Sequence, residues 1–176
     1  MKRVVISGLI CMAILLELLT FACCGVKNAR LQVALTDYAA VLESNGLDGL
    51  RLSVYYIDPS ILTRFPLTEE RLLSFESVQR FEVDNAQLLQ NIELLKTINA
   101  EEMTPVSNAS VLDARLCCIF ESDRAGQILR LTLGGKDNSI FVNEVEVENC
   151  ELLRDLLAAF ASEETMRVLV HYFDKE

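Results

Sequence analysis

The chain has 176 residues, of which 26 are acidic and 16 basic, for a formal charge of −10. Affinity for nucleic acid comes largely from Lys and Arg neutralising phosphates, so this balance argues against a nucleic-acid partner, and an anionic bilayer would repel the domain for the same reason. The single histidine, His171, leaves no second imidazole for a histidine-based metal site, and its place beside Tyr172 reads as surface.

Met1-Lys2-Arg3 forms a short positive start, and Val4 to Ala22 is almost continuously apolar, interrupted by Gly8 and Glu17. This pattern reads as an export segment. Cleaved signals usually carry an apolar stretch of about 7 to 15 residues, whereas about 20 can span a bilayer, so cleavage and retention both stay open.

Leu31, Leu35, Tyr38, Ala39 and Leu42 recur at helical spacing and predict a membrane-proximal helix over 29–44, closed by Asn45-Gly46. Leu50 to Ile57 alternates as a strand and stops at Asp58-Pro59. Thr68 stands as N-cap of a short helix ending near Ser74, with Glu69 and Glu70 in the first turn. A second strand carries Gln79, Phe81 and Val83 on one face. Asp84 then caps a helix with the stripe Leu88, Ile92, Leu95 and Ile98, and 99–108 reads as a loop.

Beyond it, three turns divide four alternating runs. Leu116, Cys118 and Phe120 share a face with Leu129, Leu131 and Leu133 across the turn at 122–126. The two-residue connection Asn143-Glu144 pairs Val142 with Val145 and Ile140 with Val147. Glu144 is an unfavourable occupant, because a type I′ turn needs positive φ there. Asn149 caps a helix whose stripe Leu152, Leu153, Leu156, Leu157 and Phe160 faces the sheet. Residues 163–173 suit a short helix, although Val168, Val170 and Tyr172 also alternate as a strand would. The expected fold class is α+β: a mainly antiparallel sheet with a C-terminal β-meander and helices on one face, preceded by an apolar N-terminal helix.

The segment Leu18-Leu19-Thr20-Phe21-Ala22-Cys23-Cys24-Gly25 resembles the lipobox of bacterial lipoproteins. Ala22 and Cys23 match its last two positions, while Thr20 and Phe21 depart from it. The resemblance implies that Cys23, or alternatively Cys24, receives a diacylglyceryl group and becomes the N-terminus. Further on, Cys118-Ile119-Phe120-Glu121, Ile128-Leu129-Arg130-Leu131 and the run Ile140 to Val147 before a Leu-rich helix resemble small lipoproteins of unknown function from anaerobic Firmicutes, over about Leu50 to Phe160. In those proteins the turn is often Asn-Gly, so Glu144 departs. This likeness implies export and lipid anchoring and no particular activity.

Adjacent residues of a strand point to opposite faces, so Cys118 should face inward with Leu116 and Phe120, and Cys117 outward. Cys150 could bridge to Cys117 or Cys118, since an exported domain permits disulfides; buried free thiols are the alternative. The carboxylate pairs Glu69-Glu70, Glu101-Glu102 and Glu163-Glu164 read as charged helix faces rather than as a glycosidase pair. Gly134-Gly135 lacks the residues that complete a phosphate loop. Tyr55, Ile57, Cys117, Ile119 and Ile128 would form an outer apolar patch unless helices cover it.

The expectation is therefore a signal or anchor segment at 1–23, a membrane-proximal linker and helix at 24–48, and one α+β ectodomain at 49–176. It would lie at the extracytoplasmic face of the cell membrane, held by lipid or helix. Its function would be to bind a protein or cell-envelope component, without catalysis, cofactor or metal. A cell-envelope enzyme, or an accessory subunit with a retained transmembrane helix, are the alternatives.

Overall fold

The structure, a computed structural model, describes residues 26–43, 49–106, 110–134, 139–148 and 150–173. The anticipated signal segment with Cys23 and Cys24, the Asn45-Gly46 cap and the Asn149 cap lie outside these residues.

The fold is α+β. A helix over residues 26–43 (α1) precedes β1 (Arg51–Tyr56), α2 (Glu69–Leu73), β2 (Gln79–Val83), α3 (Asn85–Gln90) and α4 (Ile92–Lys96). Then come β3 (Ala114–Ser122), β4 (Gly126–Gly134), β5 (Ile140–Val142), β6 (Val145–Val147), α5 (Cys150–Phe160) and α6 (Glu163–Leu169). The strands make one antiparallel sheet in the order β2-β1-β3-β4-β5-β6.

Alternation sorts the strand side chains onto two faces. Leu52 and Val54, Leu116, Cys118 and Phe120, Leu129, Leu131 and Leu133, and Ile140 and Val142 all point into one core, where they meet Leu88, Leu95, Leu153, Leu156 and Leu157. Each fully buried Leu or Ile contributes about 1.5 to 3 kcal/mol by leaving water. Leu31, Leu35, Tyr38 and Leu42 of α1 belong to this same core. The helix is thus a structural member of the domain, and the boundary expected at residue 49 does not set it apart as a linker. Tyr38 packs edge-on against Phe120 with ring centroids 5.5 Å apart, and its hydroxyl donates to the Leu95 carbonyl at 3.3 Å.

Local chemistry explains the element ends. Thr68 and Asp84 accept from the N–H groups of Arg71 and Gln87 at the starts of α2 and α3. The stripe from Leu88 to Ile98 is divided, because Asn91 leaves helical geometry (φ −113, ψ 27) while its side-chain amide donates back to the Gln87 carbonyl. At the tip of the β5–β6 hairpin Asn143 has φ 44 and Glu144 φ 71, as a type I′ turn requires, and Val142 pairs with Val145.

Two features were not foreseen. Part of the expected 99–108 loop extends the sheet: Val106 N–H donates to the Glu146 carbonyl and Glu148 N–H to the Thr104 carbonyl, both at 2.9 Å, which covers the free edge of β6. Between β3 and β4, Phe120 faces Leu129 while Glu121 faces Gln127, so Ile128 is an extra, bulged residue. The C-terminal segment is helical, with Ser162 capping α6, and a 3-10 turn at Val170–Tyr172 brings the Tyr172 hydroxyl to donate to the Ile57 carbonyl just past β1.

Candidate functional site

The outer face of the sheet carries α2 and the segment that follows β1. Leu67, Leu72, Ile57, Ala114, Cys117 and Ile119 form a second, smaller core there. The apolar patch expected on this face is therefore largely covered, while Ile128 packs against the main core at its bulge. Leu72 lies one helical turn from Glu69, so burying Leu72 brings Glu69 down onto the sheet.

That placement overturns one expectation. Glu69 is not part of a solvated acidic face; it is 4% exposed and its carboxylate pairs with Arg130 on β4 at 2.5 Å. Its other oxygen accepts from the Thr132 hydroxyl, which also lies 3.6 Å from Cys117 Sγ. Arg130 further donates to Gln127 at 2.8 Å, its backbone N–H donates to Asn143 Oδ1 at 2.8 Å, and its Nε is buried without a partner among the described residues. Burial would by itself lower the Arg130 pKa, but the hydrogen bond and charge of Glu69 outweigh it and hold the guanidinium protonated beyond its usual range. The signal for this arrangement was present in sequence as the i, i+3 spacing of Glu69 and Leu72 together with Arg130 and Thr132 on one face of β4.

Arg130 and Glu69 form one end of a groove of about 800 Å³. The hairpin β5–β6 is short and turns back at Asn143, level with Arg130, so among the described residues the start of β4 has no neighbouring strand on that side. The opposite wall is the first half of α1. Val26, Ala29 and Val33 recur there at helical spacing and are exposed, on a different side of the helix from the buried Leu31, Leu35 and Tyr38. Arg30 and Asp37 add charges of both signs. The groove thus offers an apolar wall and a polar floor whose ion pair is internally neutralised, an arrangement suited to holding an amphiphilic ligand.

Cys117 and Cys118 point to opposite faces as expected, and both are free and buried. The bridge considered between Cys150 and Cys117 or Cys118 involves a Cys150 side chain that lies outside the described residues. Cys117 lies on the outer face, whereas α5 packs on the inner one. Burial pushes the Cys117 thiol up to about 11 and the Cys118 thiol well above its ordinary range, which makes both poor nucleophiles.

A second cleft, of about 460 Å³, lies under the segment after β1. Arg115 ties that segment down through the Ile61 carbonyl at 3.2 Å, Thr63 at 2.9 Å and Asp113 at 2.7 Å. Leu62 and Phe65 project outward beside it, and His171 lines its rim. Among the described residues no group of three or more His, Cys, Asp or Glu is arranged to hold a metal ion, and no helix is long and apolar enough to cross a membrane.

Comparison with protein-family models, with curated proteins and with solved structures finds no match.

Proposed function

We propose that this chain is an exported binding module, anchored at the extracytoplasmic face of the membrane by acylation of Cys23 and acting by holding a partner rather than by catalysis. Support for the anchor comes from the positive start, the apolar run Val4 to Ala22 and the Ala22-Cys23 step that resembles a lipobox. The observation that carries the binding reading is the groove beside α1. Val26, the first described residue of α1, stands three positions after Cys23, and α1 is built into the core. Three extended residues reach about 11 Å at most, so an anchor at Cys23 would hold the Val26 end of the groove close to the headgroups.

Mass spectrometry of the mature N-terminus, read together with fractionation of Cys23→Ser, tests this. A diacylglyceryl mass on Cys23 and release of the substituted protein from membranes are the expected results; two acyl chains suffice for stable anchoring. Modification at Cys24 would move the effect to Cys24→Ser. If neither single nor double substitution alters processing, and the mature chain keeps Met1 with both cysteines unmodified, the lipid reading fails. Val4 to Ala22 would then act as a retained helix.

A further inference from the structure

The two edges of the sheet are treated differently. The β6 edge is covered by Thr104 to Val106, whereas β2 at the other edge has β1 on one side and no strand on its other side among the described residues. We propose that this open edge of β2 pairs with the same edge of a second copy of this chain, antiparallel and centred on Phe81.

The backbone sets which residues can make such a pairing. Ile57 N–H donates to the Arg115 carbonyl of the β3 side, so alternate residues Tyr55 and Ser53 turn their peptide groups to β3, and Val54 turns its own to β2. Val54 pairs with Phe81, which directs the peptide groups of Phe81 inward to β1 and those of Arg80 and Glu82 out of the sheet. A two-fold axis through Phe81 sets Arg80 of one copy opposite Glu82 of the other, twice, and these are the residues whose N–H and C=O groups point out of the sheet and meet no backbone partner among the described residues. Four backbone hydrogen bonds form, and a sheet of six strands becomes one of twelve.

The side chains fit the same register. Arg80 and Glu82 are exposed, and neither has an ion-pair partner among the described residues of its own chain. In the dimer each meets the opposite charge across the strands. Axes centred on Arg80 or on Glu82 would oppose like charges, and an axis between residues would set an outward peptide group against an inward one. Phe81, half-buried and edge-on to Tyr56 at 6.5 Å, would meet its copy on the inner face and lose its remaining contact with water. Charges on an edge strand commonly keep copies apart, but that works where a charge meets its own kind, and here it meets its complement. The interface is small, so a weak, concentration-dependent dimer is expected.

Sedimentation velocity of the full chain in density-matched detergent, over a concentration series, tests the pairing. Wild type should move from monomer to dimer. Arg80→Glu alone and Glu82→Arg alone should each weaken association by roughly tenfold or more, because both cross-strand pairs become repulsive. An equimolar mixture of the two single variants should dimerise again, as should the double variant R80E/E82R, and restoration is a result that a folding defect cannot imitate. A wild-type chain that stays monomeric throughout would leave the edge to an unrelated strand or to water and overturn the proposal. So would single variants that dimerise like wild type, or a loss that the mixture does not restore.

Discussion

The inner and outer faces of the sheet are built from the same strands by opposite means. The inner face is filled by leucines, Phe120 and Tyr38 beneath five helices, with polar groups almost excluded. The outer face is covered by the five-residue α2 and the tied-down segment after β1, and its centre is an ion pair, Glu69–Arg130, joined to Thr132 and Cys117. The inner face gains stability from contact area and tolerates no polar atom without a partner. The outer face is fixed by direction: one carboxylate with two required partners selects a single seat for a short helix.

Breaking the inner face should have the largest effect. Leu156→Ala, at a fully buried position, should cost about 2 to 5 kcal/mol in urea or thermal unfolding; an unchanged melting temperature would remove α5 from the core. Glu69→Ala should cost somewhat less, about 2 to 4 kcal/mol, because it strands the Arg130 charge although that side chain retains 20% exposure toward the groove. Replacing both partners, as Glu69→Leu with Arg130→Leu, should cost less than the sum of the two single changes, since no charge is then left unpaired. Strict additivity in that double-mutant cycle would show that the pair contributes nothing as a pair.

Titration should single out the outer-face thiol when wild type is compared with Cys117→Ala, since Cys118 is common to both. Cys117 keeps its proton in the fold up to about 11, while an unfolded thiol releases it near 9, so its contribution is present below the lower value and lost as pH rises through the higher. Across that window wild type should lose on the order of 2 kcal/mol more stability than Cys117→Ala, measured by denaturant unfolding at each pH. Parallel curves would show that Cys117 is not shielded by α2. The smallest effect concerns a turn on neither face: substituting Gly for Glu144, held at φ 71, should relieve about 1 to 2 kcal/mol of left-handed strain against about 0.5 to 1 kcal/mol of added chain entropy, for a net gain of up to about 1 kcal/mol. Destabilisation would mean that its side chain contributes to the groove wall beyond occupying the turn.

What was legible in the sequence was local. The caps at Thr68 and Asp84, the Val142–Val145 turn and the opposed directions of Cys117 and Cys118 each depend on a few consecutive residues and a fixed period, and all stand in the structure. The stripe on α1 is legible as a face to be buried, but a stripe does not name what buries it, so the sequence alone leaves this helix in a membrane-proximal segment at 24–48, apart from the ectodomain. Glu69 was misread because its partner Arg130 is 61 residues away and comes near only once α2 crosses the sheet. The Ile128 bulge and the covering of β6 by Thr104 to Val106 depend on which strand lies alongside, which no period within one segment records. The groove combines α1 with the start of β4 and inherits that same non-locality.

The hydroxyl of Tyr172 reaches the Ile57 carbonyl across 115 residues of chain. Synthesis proceeds at roughly 5 to 20 residues per second, so this contact must wait about 6 to 23 s after Ile57 is made. Most strand pairs lie between neighbours in the chain and can assemble in order as it emerges. The Ile57 carbonyl, by contrast, stays without the Tyr172 hydroxyl until that turn has been produced. A truncation just before Tyr172 would leave that buried carbonyl without its hydroxyl partner for good, and the segment after β1 should then be cut sooner by proteases that act on locally opened chain.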